Sequence, residues 1–186
     1  MAMLALSAPP LAGKSTLARH LRDHYGYVLA DHSLTLIRSY ATEYGLSIDE
    51  VYQNKEYHRL GLQEHGYQIG FNDASRAGRW LERTLNVSGW RETPLGTGIV
   101  FDSIRGPVQE EYARDRGFII VNLFLTEGGR MLRAQTMGSD YRVIKRAMER
   151  HPELESGSEH PDIMLFGHAT VEDLAMELSR RVLRHG

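Results

Sequence analysis

Short apolar runs alternate along this chain with longer stretches in which apolar residues return every three or four positions. The runs are residues 3–7, 27–30, 98–101, 118–125 and 163–166. Each is bounded by glycine, proline or polar residues and reads as a buried strand. The periodic stretches read as helices. Residues 15–24 place Leu17 and Leu21 on one face and end at Gly26. Ser33 caps a helix that runs to about Tyr44 and closes at Gly45. Residues 108–116 close at Gly117, and a stretch from about Glu127 to Arg150 breaks near Gly138. Thr170 and Asp173 form a capping box for residues 171–185. Residues 47–86 read as helical throughout, divided at Gly70 and Gly78. This alternation predicts an α/β fold: a parallel sheet of about five strands with helices on both faces. Ligands in such sheets bind beyond the carboxyl ends of the strands.

At 186 residues the chain has room for one domain, expected over 1–186. The net charge of −2 excludes a global polycation that coats nucleic acid. The absence of cysteine excludes disulfide frameworks, thiolate zinc sites and cysteine nucleophiles, and fits a reducing compartment. Residues 118–125 form the longest apolar run, interrupted only by Asn122, well short of the ~20 residues of a membrane span. The N-terminal residues lack the basic start of a secretory signal. A cytoplasmic protein with no membrane partner is expected. Of 22 basic residues only Lys14, Lys55 and Lys145 are lysine, so 22 less 3 leaves 19 arginines. A G+C-rich genome and repeated phosphate recognition by guanidinium groups both account for that bias.

Residues 8–16 read APPLAGKST between a strand and a helix. The phosphate-loop pattern is G-x-x-x-x-G-K-[ST], met here by Gly13, Lys14 and Ser15 with Ala8 in place of the first glycine. Backbone N–H groups from Ala12, Gly13, Lys14, Ser15 and Thr16 would wrap an anion at a helix N-terminus. Lys14 would reach the β- and γ-phosphates, and the Ser15 hydroxyl would coordinate Mg²⁺. Alanine disfavours positive φ, so either position 8 does not need it or the loop is altered. A nucleoside triphosphate, ATP, with Mg²⁺ is the expected ligand. Two carboxylates follow strands: Asp31, able to orient an acceptor group or a water, and Asp102, placed to hold Mg²⁺ through water. Arg105 follows in a loop before Gly106-Pro107 and points toward the same cleft.

The chain resembles the phage-type deoxynucleoside monophosphate kinases within the P-loop nucleotide kinase superfamily. The resemblance rests on the phosphate loop and on YGYVLAD at 25–31. It continues through KEYHRLGLQEHG at 55–66, IVFDSIRGPVQEE at 99–111 and PDIMLFGHATVEDL at 161–174. It implies a P-loop kinase fold with a helical acceptor-binding insertion over 47–86 and a mobile lid over 127–158. It also implies transfer of the γ-phosphoryl group to a deoxynucleoside monophosphate in a cytoplasm, a phage's host included. Roles on the acceptor side fall to Arg59 and Arg105.

Independently, two anionic substrates brought together need several cations between them. Arg38, Arg59, Arg76, Arg79, Arg83 and Arg105 are the candidates for the acceptor, with Tyr57 and Phe71 for stacking a base. Beyond the strongest strand, Arg130, Arg133 and Arg142 are candidates for contact with the transferring phosphoryl group. Arg142, Arg146 and Arg150 share one helix face. His20 and His24 have the spacing of a metal pair but no evident third ligand, and His151 and His160 lie in a loose acidic segment. Two rival readings stay open. One is a kinase acting on a hydroxyl of a nucleoside or of a base within DNA, with Asp31 as base; only then is nucleic acid a partner. The other is a nucleotide-binding switch or ATPase acting on a partner protein. Nucleotide substrates are the expected partners, with a homodimer as an option.

Overall fold

The computed structural model describes residues 2–70, 73–150, 152 and 157–185. Its centre is a parallel sheet of five strands: β1 (Met3–Ser7), β2 (Val28–Ala30), β3 (Ile99–Phe101), β4 (Ile119–Phe124) and β5 (Ile163–Phe166). Their spatial order is β2-β3-β1-β4-β5. The register pairs Met3 with Ile99, Ser7 with Asn122, Val28 with Ile99 and Phe124 with Phe166. Strands this short and apolar suit a sheet buried on both faces.

Helices supply the two covers. On one face α1 (Lys14–Tyr25) packs against α9 (Val171–His185), and Leu17, Leu21, Leu174 and Leu178 meet Leu4, Leu6, Val121 and Leu165. On the other face α5 (Ala74–Val87) and α6 (Gly106–Asp115) bury Leu81, Leu85 and Ala113 against Ala5, Phe101 and Ile120. A third cluster stands apart: α2 (His32–Tyr44), α3 (Ile48–Gln53) and α4 (Arg59–Gln68) close over Ile37, Ala41, Val51 and Leu62, with Trp80 of α5 packed against them. The last pair, α7 (Glu127–Thr136) and α8 (Tyr141–Arg150), is divided by Gly138 at φ +67°. Arg150 of α8 pairs with Glu64 of α4 at 3.2 Å. Among the described residues no helix is long and apolar enough to cross a membrane.

Three local readings are corrected. Asp31 rather than Ser33 caps α2, its carboxylate accepting from Leu34 N at 2.6 Å. A carboxylate at that position answers the orphan N–H groups and the helix dipole together. Gly78 does not divide a helix but lies inside α5, where its missing side chain seats the ring of Tyr112. Residues 106 and 107 belong to α6 rather than to the loop before it, with proline in the first turn where its missing N–H costs nothing. Phe71 and His151 lie outside the described residues.

The seat at Gly78 gives a stability prediction. A Cβ there would stand 2.4 Å from Tyr112 Cε2. That ring cannot swing away freely, because its hydroxyl donates to Glu82 at 2.7 Å and Arg116 lies over its face at 3.4 Å. In an exposed helix Gly→Ala gains about 1 kcal/mol. Here overpacking of roughly 1–3 kcal/mol outweighs it. Gly78→Ala is therefore expected to lower the urea-unfolding free energy by up to about 2 kcal/mol, and a stabilised variant would contradict this packing.

Candidate active site

The strand order decides what meets at the carboxyl edge. Because β3 lies between β2 and β1, Asp31 after β2, Asp102 after β3 and the loop after β1 end side by side. Backbone bonds tie the loop after β3 to its neighbours: Asp102 N donates to Ala30 O at 3.2 Å and Ile104 N to Leu6 O at 2.9 Å. Gln109, fully buried, accepts from Arg105 N at 2.8 Å through Oε1 and so fixes the backbone from which the Arg105 side chain leaves.

In the loop after β1, Ala8 is buried in the core and does not take positive φ. Of the two options left open by the sequence, the first holds: position 8 does not need a glycine. The left-handed conformation falls instead on Leu11 at φ +66°, the one non-glycine among the described residues to adopt it, and on Gly13 at φ +102°. Strain at Leu11, of the order of 1–2 kcal/mol, is thus held in the loop that would face a ligand. Ala12 N donates to Pro9 O at 3.3 Å, so the amides of Gly13, Lys14, Ser15 and Thr16 are the ones α1 leaves without intrahelical partners. The Lys14 ammonium donates to the Ala8 carbonyl, inside its own loop.

A cleft of about 820 Å³ opens over this loop. Its walls bring together Ala12, Gly13, Lys14, Ser15 and Thr16 with Arg59, Arg105, Arg133, Tyr57 and Ser103. Six basic side chains line it, Lys14, Arg19, Lys55, Arg59, Arg105 and Arg133, against one carboxylate, Glu56. In a chain with a net charge of −2 this is a local excess of positive charge. Arg59 is held by Glu56 in a two-pronged pair at 2.6 and 2.7 Å. Arg133 donates to Leu11 O at 2.9 Å and to Gly167 O at 2.5 Å, bridging the phosphate loop and the turn after β5. A Cβ at Gly167 would meet Ala12 O at 3.1 Å, which is how closely that turn approaches the loop.

Beneath the cleft a recess of about 30 Å³ is lined by Ser15, Asp31, Lys55 and Asp102, with Arg19, Leu29, Ser33 and Tyr52 completing its wall. Asp102 is 3% exposed and accepts from His32 N at 2.7 Å and Ser33 N at 3.4 Å. Burial, with the charge of Asp31 beside it, pushes its carboxyl up to about 6. Burial also holds the imidazole of His32 down at about 3, with Arg105 acting the same way. Lys55 is pushed below the usual lysine range by burial, against the pull of Asp102 and Asp31. The recess fits Mg²⁺. Two carboxylates and the Ser15 hydroxyl at the border of recess and cleft suit a hard cation whose remaining waters would lie in the open cleft above. Among the described residues no cluster of three or more acidic or histidine groups could cage a metal without water or phosphate.

Six expected site residues, Arg38, Arg76, Arg79, Arg83, Arg130 and Arg142, are not brought to the cleft. Arg38 points to solvent from α2. Arg76 lies in a separate groove with Arg79 and Arg83. Arg130 folds onto α8, its guanidinium 3.3 Å from Met148 Sδ. Arg142 is 86% exposed and is taken by Asp140 at 3.1 Å. Helical spacing gave each a face but not which way that face turns. Among the cleft residues missed as candidates are Arg19, Lys55 and Ser103. Lys55 carried a signal: in a chain with three lysines and nineteen arginines, a lysine outside the phosphate loop is itself unusual. Ser103 carried none. It is 2% exposed, and its hydroxyl has no hydrogen-bond partner among the described residues.

No protein-family model and no curated protein matches the chain. Among solved structures it is similar to a gluconokinase from Sinorhizobium meliloti 1021, with a TM-score of 0.57 and 12% identity over 98% of this chain and 92% of that one. At that identity the likeness concerns architecture. Together with the strand order and the loop after β1, it establishes the P-loop kinase fold.

The recess yields a pH test. A carboxyl raised to about 6 from 3.8 contributes stability below pH ~4 that is lost as pH rises through 6. His32, lowered to about 3 from 6.5, contributes stability above 6.5 that is lost as pH falls toward 3. The two oppose each other in the wild type, so the comparison with Asp102→Asn isolates the carboxyl. Between pH 4 and 7, without nucleotide or Mg²⁺, the variant is expected to gain about 1–3 kcal/mol relative to the wild type. A difference that stays flat across denaturation curves at those pH values would contradict the buried, crowded carboxyl.

Proposed function

We propose that the chain transfers the γ-phosphoryl group of ATP, with Mg²⁺, to a deoxynucleoside monophosphate and releases the two diphosphates. The observation that carries the reading is the cleft in which six cations face one carboxylate. A single triphosphate would be served by Lys14, Arg133 and the loop amides. The further cations Lys55, Arg59 and Arg105 line the same space and suit a second phosphorylated substrate. Tyr57, 86% exposed at the wall, and Tyr52 offer rings to a base.

In this reading the amides of Gly13, Lys14, Ser15 and Thr16 hold the donor's phosphates, and Lys14 leaves the Ala8 carbonyl to reach them. Ser15, with Asp31 and Asp102 beneath it, would hold Mg²⁺, which when bound neutralises charge on the donor's phosphates. Arg105, Arg59 and Lys55 hold the acceptor's phosphate in line. An oxygen of that phosphate attacks the γ-phosphorus, the bond to the β-phosphate oxygen breaks, and ADP leaves with the electron pair. The attacking oxygen is already ionised, so no general base is needed. Positioning and charge neutralisation carry the rate. Arg133 keeps the phosphate loop and the 167 turn together, and α7 with α8 forms a lid that excludes water.

A hydroxyl acceptor is the second reading, favoured by the place of Asp31 at the recess beside Ser15, where a carboxylate can take a proton. The experiment that tests the assignment offers the protein ATP, Mg²⁺ and separate acceptors: deoxynucleoside monophosphates, nucleosides, sugar acids and duplex DNA. Labelled phosphate is expected on the monophosphates. Label on a nucleoside, sugar acid or DNA, or hydrolysis that ignores every acceptor, would overturn it.

Asp31→Asn separates the two acceptors, because asparagine still caps α2. With a phosphate acceptor kcat is expected to fall by less than about tenfold, whereas removing a general base costs about a hundredfold or more. On the acceptor side, Arg105→Ala and Lys55→Ala are expected to lower kcat/KM for the acceptor by roughly tenfold to a thousandfold while ATP affinity measured alone changes little. Arg105→Lys should rescue only in part, since an ammonium lacks the paired donors. Weakened ATP binding with acceptor kinetics intact would move both residues to the donor side.

A further inference from the structure

The arginines that do not reach the cleft are not scattered. Arg76, Arg79 and Arg83 stand at i, i+3 and i+7 on α5 and so share its outer face, spanning about 10 Å along the helix. The inner face of the same helix is Ala77, Leu81, Thr84 and Leu85, all buried. With Trp80 and Ile69 the three arginines line a groove of about 380 Å³, and none of its residues lines the catalytic cleft. Arg79 and Arg83 form no ion pair among the described residues, and Arg76 has only a long one, to Asp73 at 3.9 Å between exposed groups. Arg83 stands over the Trp80 ring at 5.2 Å.

The groove is also shaped. Gly70, at φ +88°, ends the turn after α4, and a Cβ there would lie 2.5 Å from Arg76 Cδ and 2.9 Å from its Cβ. The absent side chain is what lets the Arg76 stem lie down toward Ile69. Two guanidinium groups without an ion pair among the described residues, a third in a long exposed one, and the edge of an indole beside Ile69 suit a ligand with several phosphates at one end and a flat apolar ring at the other. The volume lies within the range of small-molecule pockets.

We propose that this groove is a second nucleotide site, binding a nucleoside triphosphate through Arg76, Arg79 and Arg83 with its base on the Trp80 side. The site is independent of the cleft and does not rest on the acceptor assignment. It is nonetheless connected to it: Thr84, next to Arg83 in sequence but on the inner face, bonds His32 Nδ1 at 3.1 Å, and His32 N donates to Asp102.

The test uses the full chain carrying Trp90→Phe, so that Trp80 is the one remaining indole, and Lys14→Ala, so that cleft binding is weakened. Trp80 fluorescence is followed while a deoxynucleoside triphosphate, inorganic tripolyphosphate or a single-stranded oligonucleotide is added. Saturable quenching by the triphosphate is expected, at least about tenfold weaker after Arg79→Glu/Arg83→Glu and weaker also after the milder Arg79→Gln. No quenching, or quenching untouched by both variants, would overturn the site. Tripolyphosphate binding as tightly as the nucleotide would overturn the nucleoside part, and an oligonucleotide binding more tightly than either would replace it with a nucleic-acid surface. Failure of the phosphate-loop reading would instead show as ATP binding unchanged between Lys14 and Lys14→Ala in a chain whose groove is removed by Arg79→Glu/Arg83→Glu, so the two failures are distinguishable.

Discussion

Like charges have to be held together at one edge of a sheet, and most of the site follows from that constraint. Asp31 and Asp102 end adjacent strands and share a recess hardly larger than a water molecule. Their repulsion, added to burial, is what raises the Asp102 carboxyl. Above them the phosphate loop is shaped to receive more negative charge. Such an arrangement is tolerable only with cations close by, and Lys55 with Arg59, Arg105 and Arg133 reach the cleft from three different segments. The cations have protein partners within the cleft: Lys14 the Ala8 carbonyl, Arg133 the carbonyls of Leu11 and Gly167, Arg59 the carboxylate of Glu56. Each of these contacts can be exchanged for a phosphate oxygen at little net cost, because one hydrogen bond replaces another.

Local elements were legible in the sequence because period and punctuation fix them. Residues 163–166 and 171–185 are a strand and a helix in the structure as expected, and Gly138 does part α7 from α8. The loop over residues 8–13 was legible as a strand-to-helix connection for the same reason. Ser33 and Asp31 were harder to separate: both can cap, and the choice turns on where β2 releases the chain. Gly78 misled because a glycine in a helix signals a break only when no neighbour needs the space that Tyr112 occupies here.

Residues that depend on how distant segments fold back were not legible. Lys55 acts at Asp102 only because α3 and α4 turn over the ends of β2 and β3, which no spacing in the sequence records. Arg76, Arg79 and Arg83 have the composition of an acceptor site, yet the inner face of α5 is required by the core, and this sends the arginines outward. Helix α5 thereby carries a packed face, a polar link through Thr84 to His32, and a basic outer groove within fourteen residues.

The central claim is that a single cleft holds two phosphorylated substrates at once. Calorimetry with two nucleosides joined tail to tail through five phosphates, one adenosine and one deoxynucleoside, addresses it without any chemistry taking place. The groove on α5 is removed from the experiment by Arg79→Glu/Arg83→Glu. One equivalent is expected to bind about a hundredfold or more tighter than ATP, because linking the two halves removes the cost of bringing the second one in. Binding of that linked compound no tighter than ATP alone would contradict the two-anion cleft.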